Sequence, residues 1–307
     1  MKKNSIIIKL IKKIYYSYRK WSMILLSHIS PVLASKVFYR RCTRKKLNLK
    51  NPQNFNEKLM YIKLKNYNHN DLVFKCSDKY QVREYALAKG VSIDNLPKII
   101  KKYSSTKEIN FNELPKKFVL KCSHGCGFNI VCTDKEKLNY EETIKKIKKW
   151  SKTKFGYETA ETHYTHVKPT IFCEEFIDND GKGFPNDYKL YCFNGIPKIV
   201  LICSNRDKNL RLNYYNIAWE ELPYGPENLR SKAKEKKPKS FDQMLEIAKK
   251  ISKGFPYVRC DFYEYNGKAV LGEMTFTPAG CAATYYTEQG LKEIGDMLEI
   301  KAIKKES

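Results

Sequence analysis

The stretch PYVRCDFYEYNGKAVLGEMTFTPAG, residues 256–280, constrains the fold more than any other part of the chain. Its Asn266-Gly267 pair lies between two apolar-rich runs, which is the pattern of a hairpin. Successive strand residues point to opposite faces. The even positions Val258, Cys260, Phe262, Val270, Met274 and Phe276 are apolar and belong on a core face. The odd positions Arg259, Asp261, Tyr263, Glu273, Thr275 and Thr277 are polar and belong on the other. Odd residues stand opposite odd residues only if the loop holds an odd number, so the pattern predicts a three-residue turn with Gly267 in a left-handed bulge. Asp261 and Glu273 then converge across the hairpin. Facing carboxylates repel unless a cation lies between them, and oxygen ligands in this arrangement suit Mg²⁺; the same pattern also describes a solvated sheet face carrying ordinary acids.

The rest of the chain must supply the partner surface. With 307 residues, 42% of them hydrophobic, it can build a real core as one large or two ordinary domains, and it is not a disordered chain. Its net charge of +25 is uneven: residues 1–56 hold fourteen Lys and Arg and no carboxylate, the first being Glu57. Within them, SIIIKLIKKIYYSYRKWSMILL places Ile7, Leu10, Ile11, Ile14, Tyr18, Trp21 and Leu25 at helical spacing, with Lys9, Lys12, Lys13, Arg19 and Lys20 between. Such a basic amphipathic helix binds an anionic membrane surface, or else docks on its own domain behind a solvated basic face. It does not span a membrane: WSMILLSHISPVLA is short and is broken by His28 and Pro31. Lysines interrupting the apolar run argue against a signal peptide. The ten cysteines lie mostly among apolar strand residues (Cys173, Cys192, Cys203, Cys260), as small buried hydrophobes of a reducing cytoplasm. The expected location is cytoplasmic or peripheral on the inner membrane surface.

The order of elements says α+β. Residues 1–45 form the basic leader. Residues 46–115 form a helical region, with helices in NFNEKLMYIKLKN and in KCSDKYQVREYALAKG, the second capped by Ser77 or Asp78 and ended by Gly90. Residues 116–177 hold the strands KFVLKC and FNIVC around a glycine turn, then a helix capped by Asn139. Residues 178–307 are mainly strands, with a helix in SFDQMLEIAKKISKG capped by Ser240 and closed by Gly254, and a C-terminal helix.

The glycine turn in FVLKCSHGCGFNIVC, residues 118–132, admits three readings. Backbone N–H groups of a glycine loop cradle phosphate. Cys122, His124, Cys126 and Cys132 offer zinc ligands, but structural zinc usually shows C-x₂₋₄-C with a separate second pair, and His163-x-x-His166 is the nearest other pair. The stretch also fits a plain structural turn.

The series KFVLKCSHGCG, CEEFI, NDYKLYCFNG, VRCDF and LGEMTFTPAG resembles the ATP-grasp ligases. SDKYQVREY, DYKLYCFNG and NYYNIAW are similar to the TupA-like branch, found with teichuronopeptide and capsular polysaccharide synthesis, over roughly residues 50–290. The resemblance implies two α+β subdomains clasping ATP, with Mg²⁺ helping to activate a carboxylate as an acyl phosphate that an amine attacks. It implies that Lys121 reaches the nucleotide and that Ser123, Gly125 and Gly127 belong to the loop over the phosphates. It sets Glu174, Glu175, Phe176 and Ile177 around the adenine, and Asp187 on the ribose. Lys189 falls where a basic residue meets the phosphates, and Asp261 and Glu273 are the metal carboxylates. Thr275 stands where the family at large has Asn, and a hydroxyl ligates a hard cation more weakly than an amide carbonyl. Lys189 and Arg259 could also draw in an acidic acceptor.

The resulting expectation is an ATP- and Mg²⁺-dependent carboxylate–amine ligase. It would join a uronic acid or other acidic saccharide of a surface polysaccharide to an amino acid or small amine. The alternative is a glycosyltransferase of the same pathway, for which Asp178-Asn179-Asp180 is the nearest D-x-D motif. A nucleic-acid module is disfavoured, because the aromatics are not interleaved with the basic run as a stacking platform.

Overall fold

The computed structural model describes residues 2–178, 184–206 and 209–300. The chain opens with helices α1 (Lys2–Ile29) and α2 (Pro31–Thr43). Ser30 separates them: its hydroxyl accepts from the Leu33 N–H, and Pro31 follows at the first helical position, where a missing donor costs nothing.

Next come α3 (Phe55–Lys65), α4 (Asp71–Ser77) and α5 (Val82–Ala88). The helix expected in residues 75–90 with Ser77 or Asp78 as its cap is the shorter α5, while Lys75–Ser77 belong to α4. Asp78, the second of the two expected caps, separates α4 from α5: its carboxylate is fully buried and takes up the N–H groups of Tyr80 and Gln81 in the turn before Val82.

A four-stranded antiparallel sheet follows, made of β1 (Ile99–Tyr103), β2 (Phe118–Cys122), β3 (Asn129–Cys132) and β4 (Ile171–Glu175) in the order β1-β4-β2-β3. The helices α6 (Tyr140–Trp150) and α7 (Phe155–Glu158) lie between β3 and β4 in the chain. Asn139 caps α6 as its position predicts, accepting from the Glu142 N–H at 2.9 Å. Phe118, Leu120, Cys122, Ile171 and Cys173 bury one face of this sheet in a core shared with Ile147 of α6. By alternation, Val119, Lys121, Phe172 and Glu174 share the other face.

The second sheet has six antiparallel strands: β5 (Asp187–Phe193), β6 (Ile196–Ser204), β7 (Arg211–Asn216), β8 (Glu221–Leu222), β9 (Tyr257–Tyr265) and β10 (Lys268–Thr275). Their order is β10-β9-β5-β6-β7-β8. The helix α8 (Phe241–Ser252) precedes β9, and α9 (Glu288–Asp296) closes the described chain. Ser240 does not cap α8; its hydroxyl goes to Glu264, 2.8 Å away on β9.

The main core joins this sheet to the helical region 46–115. Phe55, Tyr67, Tyr191, Tyr214, Tyr257 and Phe276 are almost wholly buried in one cluster with Met244 and Ile251 of α8. Phe55 packs edge-on against Tyr257 at 5.1 Å, and the Tyr67 hydroxyl donates to the Tyr257 carbonyl at 2.5 Å. Each such aromatic contributes roughly 2–3 kcal/mol by burial, so the helices before β1 are part of the second sheet's core. β1 itself belongs to the first sheet.

The hairpin β9–β10 corrects the expected turn. Tyr265 pairs directly with Lys268, leaving a strict two-residue loop in which Asn266 and Gly267 both take positive φ (50° and 71°). The odd residue lies further on: the register shifts between Leu271 and Glu273, making Gly272 a mid-strand bulge. Beyond it Glu273 faces Asp261 and Thr275 faces Arg259. Before it, Leu271 pairs with core-facing Phe262 and Val270 with Tyr263. Val270 is thus buried on the opposite face from the one expected, and Leu271 takes its core place.

Candidate active site

The polar face of β5, β9 and β10 carries Asp187, Lys189, Arg259, Asp261, Glu273 and Thr275 together, since Lys189 is laddered to Asp261 and Asp261 to Glu273. Arg259 donates to both oxygens of Asp261 at 2.7 Å and to the Thr275 hydroxyl at 3.2 Å. Lys189 bridges Asp187 and Asp261, 2.6 Å from each. Burial works against the charge on Lys189, but Asp187 and Asp261 outweigh it and hold the ammonium protonated far above its usual range. Arg259 is likewise held protonated by Asp261 against its burial. Burial pushes the Asp261 carboxyl up, and Arg259 and Lys189 oppose that push. Glu273 shows the opposite balance: burial would raise it, but Lys79, Lys189, Arg259 and Lys121 bring it down to about 2. It is a carboxylate at any physiological pH.

The first sheet contributes Lys121, whose ammonium is ion-paired with Glu174 one strand away. Glu174 is thus a buried strand residue on the same face as Lys121. Glu175 is tied to the start of β1: its carboxylate accepts from the Lys98 N–H at 3.0 Å. Phe176 lies under the Lys117 ammonium at 5.9 Å, and Ile177 is buried. Asp187 opens β5; one of its oxygens is occupied by Lys189, and the other is buried without a hydrogen-bond donor among the described residues. An orphaned buried acceptor is costly and is a place where a donor from a ligand fits.

The glycine turn hangs beside Glu273. Ser123 does not face an open site: its wholly buried hydroxyl donates to Asp78 at 3.1 Å and accepts from the Thr170 N–H. Gly125 is required by close approach, since a Cβ there would come within 2.7 Å of the Phe128 ring. Gly127 has φ +73°, which a side chain disfavours. Zinc ligation by the four candidates is ruled out by geometry. Cys132 is paired with Phe118, at the far end of β2 from Cys122, so the two thiols stand about 13 Å apart along the ladder at 3.3 Å per residue. His124 is buried with its Nε2 at 3.1 Å from the Trp150 and Thr153 carbonyls. His163 is fully buried and pushed down to about 3 by that burial, so its ring is neutral; His166 stacks on Phe74 at 4.2 Å. Of the D-x-D candidate, Asp178 pairs with Lys117, and Asn179 and Asp180 lie outside the described residues.

Lys79 is not among the residues that motif or alternation marks out. Its ammonium donates to the Gly125 carbonyl at 2.6 Å and lies 3.3 Å from Glu273, joining the glycine turn to the carboxylate hairpin. Its neighbours brace it: Asp78 holds Ser123, and Tyr80 packs edge-on against Phe172 at 5.4 Å. Lys79→Met should lower affinity for a nucleotide about 10- to 100-fold, since a charge-assisted hydrogen bond contributes about 1.5–3 kcal/mol and tenfold is 1.4. Unchanged nucleotide titration in a folded variant would show that Lys79 only braces the loop.

Two sheets that bring lysines, a glycine turn and paired carboxylates together have the build of a nucleotide-clasping ligase. The family model described as TupA-like ATPgrasp matches residues 57–299, and the chain belongs to that family; it is an ATP-dependent ligase. A comparison with curated proteins gives no match. Among solved structures the chain is similar to D-alanine–D-alanine ligase from Bacillus anthracis complexed with ATP, at 13% identity and TM-score 0.40 over 83% of this chain and 71% of that one. It is also similar to D-alanine–D-alanine ligase from Helicobacter pylori, at 15% identity and TM-score 0.39 over 73% and 59%. The assignment rests on the family match and not on likenesses this remote.

Proposed function

We propose that the chain uses ATP with Mg²⁺ to activate a carboxylate on an acidic saccharide of a surface polysaccharide, or of its precursor, and passes the acyl group to an amine to form an amide. The observation that carries this reading is Lys79, which links the glycine turn to Glu273 and so sets phosphate-binding backbone beside a carboxylate pair. Asp261, Glu273 and Thr275 present oxygen alone on one strand face, the donor chemistry of a hard cation, and Mg²⁺ would share the Asp261 oxygens that Arg259 and Lys189 hold here. Bound there, Mg²⁺ would neutralise phosphate charge during transfer.

The chain's own groups supply the rest. Lys79, Lys121 and Lys189 are cations gathered around Glu273 that would meet the phosphates, and backbone at Gly125 and Gly127 can approach them without side-chain obstruction. The orphaned Asp187 oxygen accepts from a nucleotide hydroxyl. Arg259 holds Asp261 in place through its two-pronged contact, which makes it a positioning residue. Arg206, 3.7 Å from Asp187 and about a third exposed, is left to meet an acidic acceptor. The polysaccharide substrate rests on the family resemblance and on this cationic rim.

Calorimetric titration with a non-hydrolysable ATP analogue tests the core of the proposal. Binding should be at least about tenfold tighter with Mg²⁺ than without it, a difference of 1.4 kcal/mol. Absence of binding under both conditions would overturn it.

A further inference from the structure

We infer that α1 is a docking surface for an anionic lipid bilayer. The described hydrogen bonds, ion pairs and ring contacts that tie α1 to the rest of the chain begin at Lys20. Lys20 pairs with Glu158 at 2.5 Å, and the Ser27 hydroxyl donates to the Tyr157 carbonyl at 2.9 Å. His28 stacks on Tyr157, and Met23 is buried with Ala34 and Ala160. These occupy one flank of the helix, and Ser22 reaches α2 from the other, accepting from Arg41 at 3.3 Å. The opposite side carries Ile8, Ile11, Ile14, Tyr15, Tyr18, Trp21, Leu25 and Ile29, every one of them more than half exposed. At 100° per residue these positions fall within roughly 140° of the circumference, wider than a solvated helix face needs. Val32 and Leu33 of α2 extend the exposed apolar surface.

No helix among the described residues is long and apolar enough to cross a membrane. A stripe of this kind lies in the interface plane instead, with its aliphatic residues below the headgroups and Tyr and Trp at their level. Charge chooses the occupant. The stripe is flanked by Lys12 and Arg19, within a stretch of 56 residues that has fourteen Lys and Arg and no acid. A second copy of the chain would set this charge against itself. Nucleic acid would leave the isoleucines and leucines without a partner. Anionic headgroups over an acyl layer satisfy both the charge and the apolar face. This inference does not depend on the proposed substrate.

The test is co-sedimentation of the full chain with vesicles of phosphatidylglycerol and phosphatidylcholine, against phosphatidylcholine alone. It is repeated with the double variant Ile14→Glu, Trp21→Glu. Wild-type protein should partition at least tenfold better onto the anionic vesicles, with a blue shift from Trp21, which is 65% exposed in the free protein. The variant should lose at least tenfold in partitioning while its melting temperature stays unchanged. Equal partitioning onto both vesicles, or an equally bound variant, would overturn the inference. So would light scattering that shows a dimer dissolved by the same two substitutions.

Discussion

Glu273→Gln is expected to leave the fold standing and to cut ATP turnover by at least about 10²–10³-fold, the scale of losing one preorganised electrostatic partner of the reacting phosphate. Glutamine keeps the shape of the side chain and removes one charge from a face where Lys79, Lys121, Lys189 and Arg259 converge. What is lost is the anion that balances those cations and would hold Mg²⁺. The pH dependence has a definite sign. The Glu273 carboxyl titrates at about 2 in the fold, against 4.5 for an ordinary glutamate. Its ionisation therefore stabilises the fold above pH 4.5, and that contribution fades as pH falls from 4.5 toward 2. The side chain is 35% exposed, so solvent screening reduces the effect to on the order of 1–2 kcal/mol. Melting curves should separate wild type from variant at pH 7 and draw together only as pH approaches 2. ADP release and melting measured side by side check both claims, and undiminished turnover would remove the metal assignment from this residue.

The sequence revealed the carboxylate pair because alternation is a strong code: every second residue of PYVRCDF and EMTFT is polar, and that fixed the shared face of Asp261, Glu273 and Thr275 before any partner strand was known. The source of the register was hidden. A three-residue turn and a mid-strand bulge shift the pairing by the same one residue, and a bulged glycine has no side chain to mark it. Alternation counted through the bulge therefore puts Val270 on the wrong face. Lys79 was hidden for another reason. SDKYQ lies between two helical stretches and its local pattern concerns capping, whereas the function of the lysine depends on its meeting Gly125 and Glu273, both remote in sequence. Ser123 misled in the opposite direction: a hydroxyl next to glycines suits a phosphate loop, and only the packed structure shows Asp78 beside it. The leader combined both cases. Its helical period was plain, but which flank docks depended on Tyr157 and Glu158, more than a hundred residues away.

Gly272→Val is expected to do more harm than deleting Gly272 altogether. A Cβ at this position would lie 3.0 Å from the Tyr263 ring and 3.4 Å from the Asp261 carbonyl, so valine's two branches would press on a half-buried aromatic and on the strand that carries Asp261. Overpacking of this kind costs about 1–3 kcal/mol. The chain can escape by straightening the bulge, but a regular ladder from the Tyr265–Lys268 pair would set Glu273 opposite Cys260, turning the carboxylate toward the core. Either route removes the Asp261–Glu273 pairing, so nucleotide binding should fall at least about tenfold along with stability. Deletion acts differently. Leu271 already faces Phe262, and with residue 272 absent the next residue in an unbroken ladder, Glu273, faces Asp261 on the same polar side. The shortened strand should therefore keep Mg²⁺-dependent binding of the ATP analogue within about tenfold of wild type, less than 1.4 kcal/mol. Titration and melting of the two variants together decide the matter. A deletion as damaging as the valine would mean that the bend of the bulge, and not its one-residue shift of register, is what sets the two carboxylates face to face.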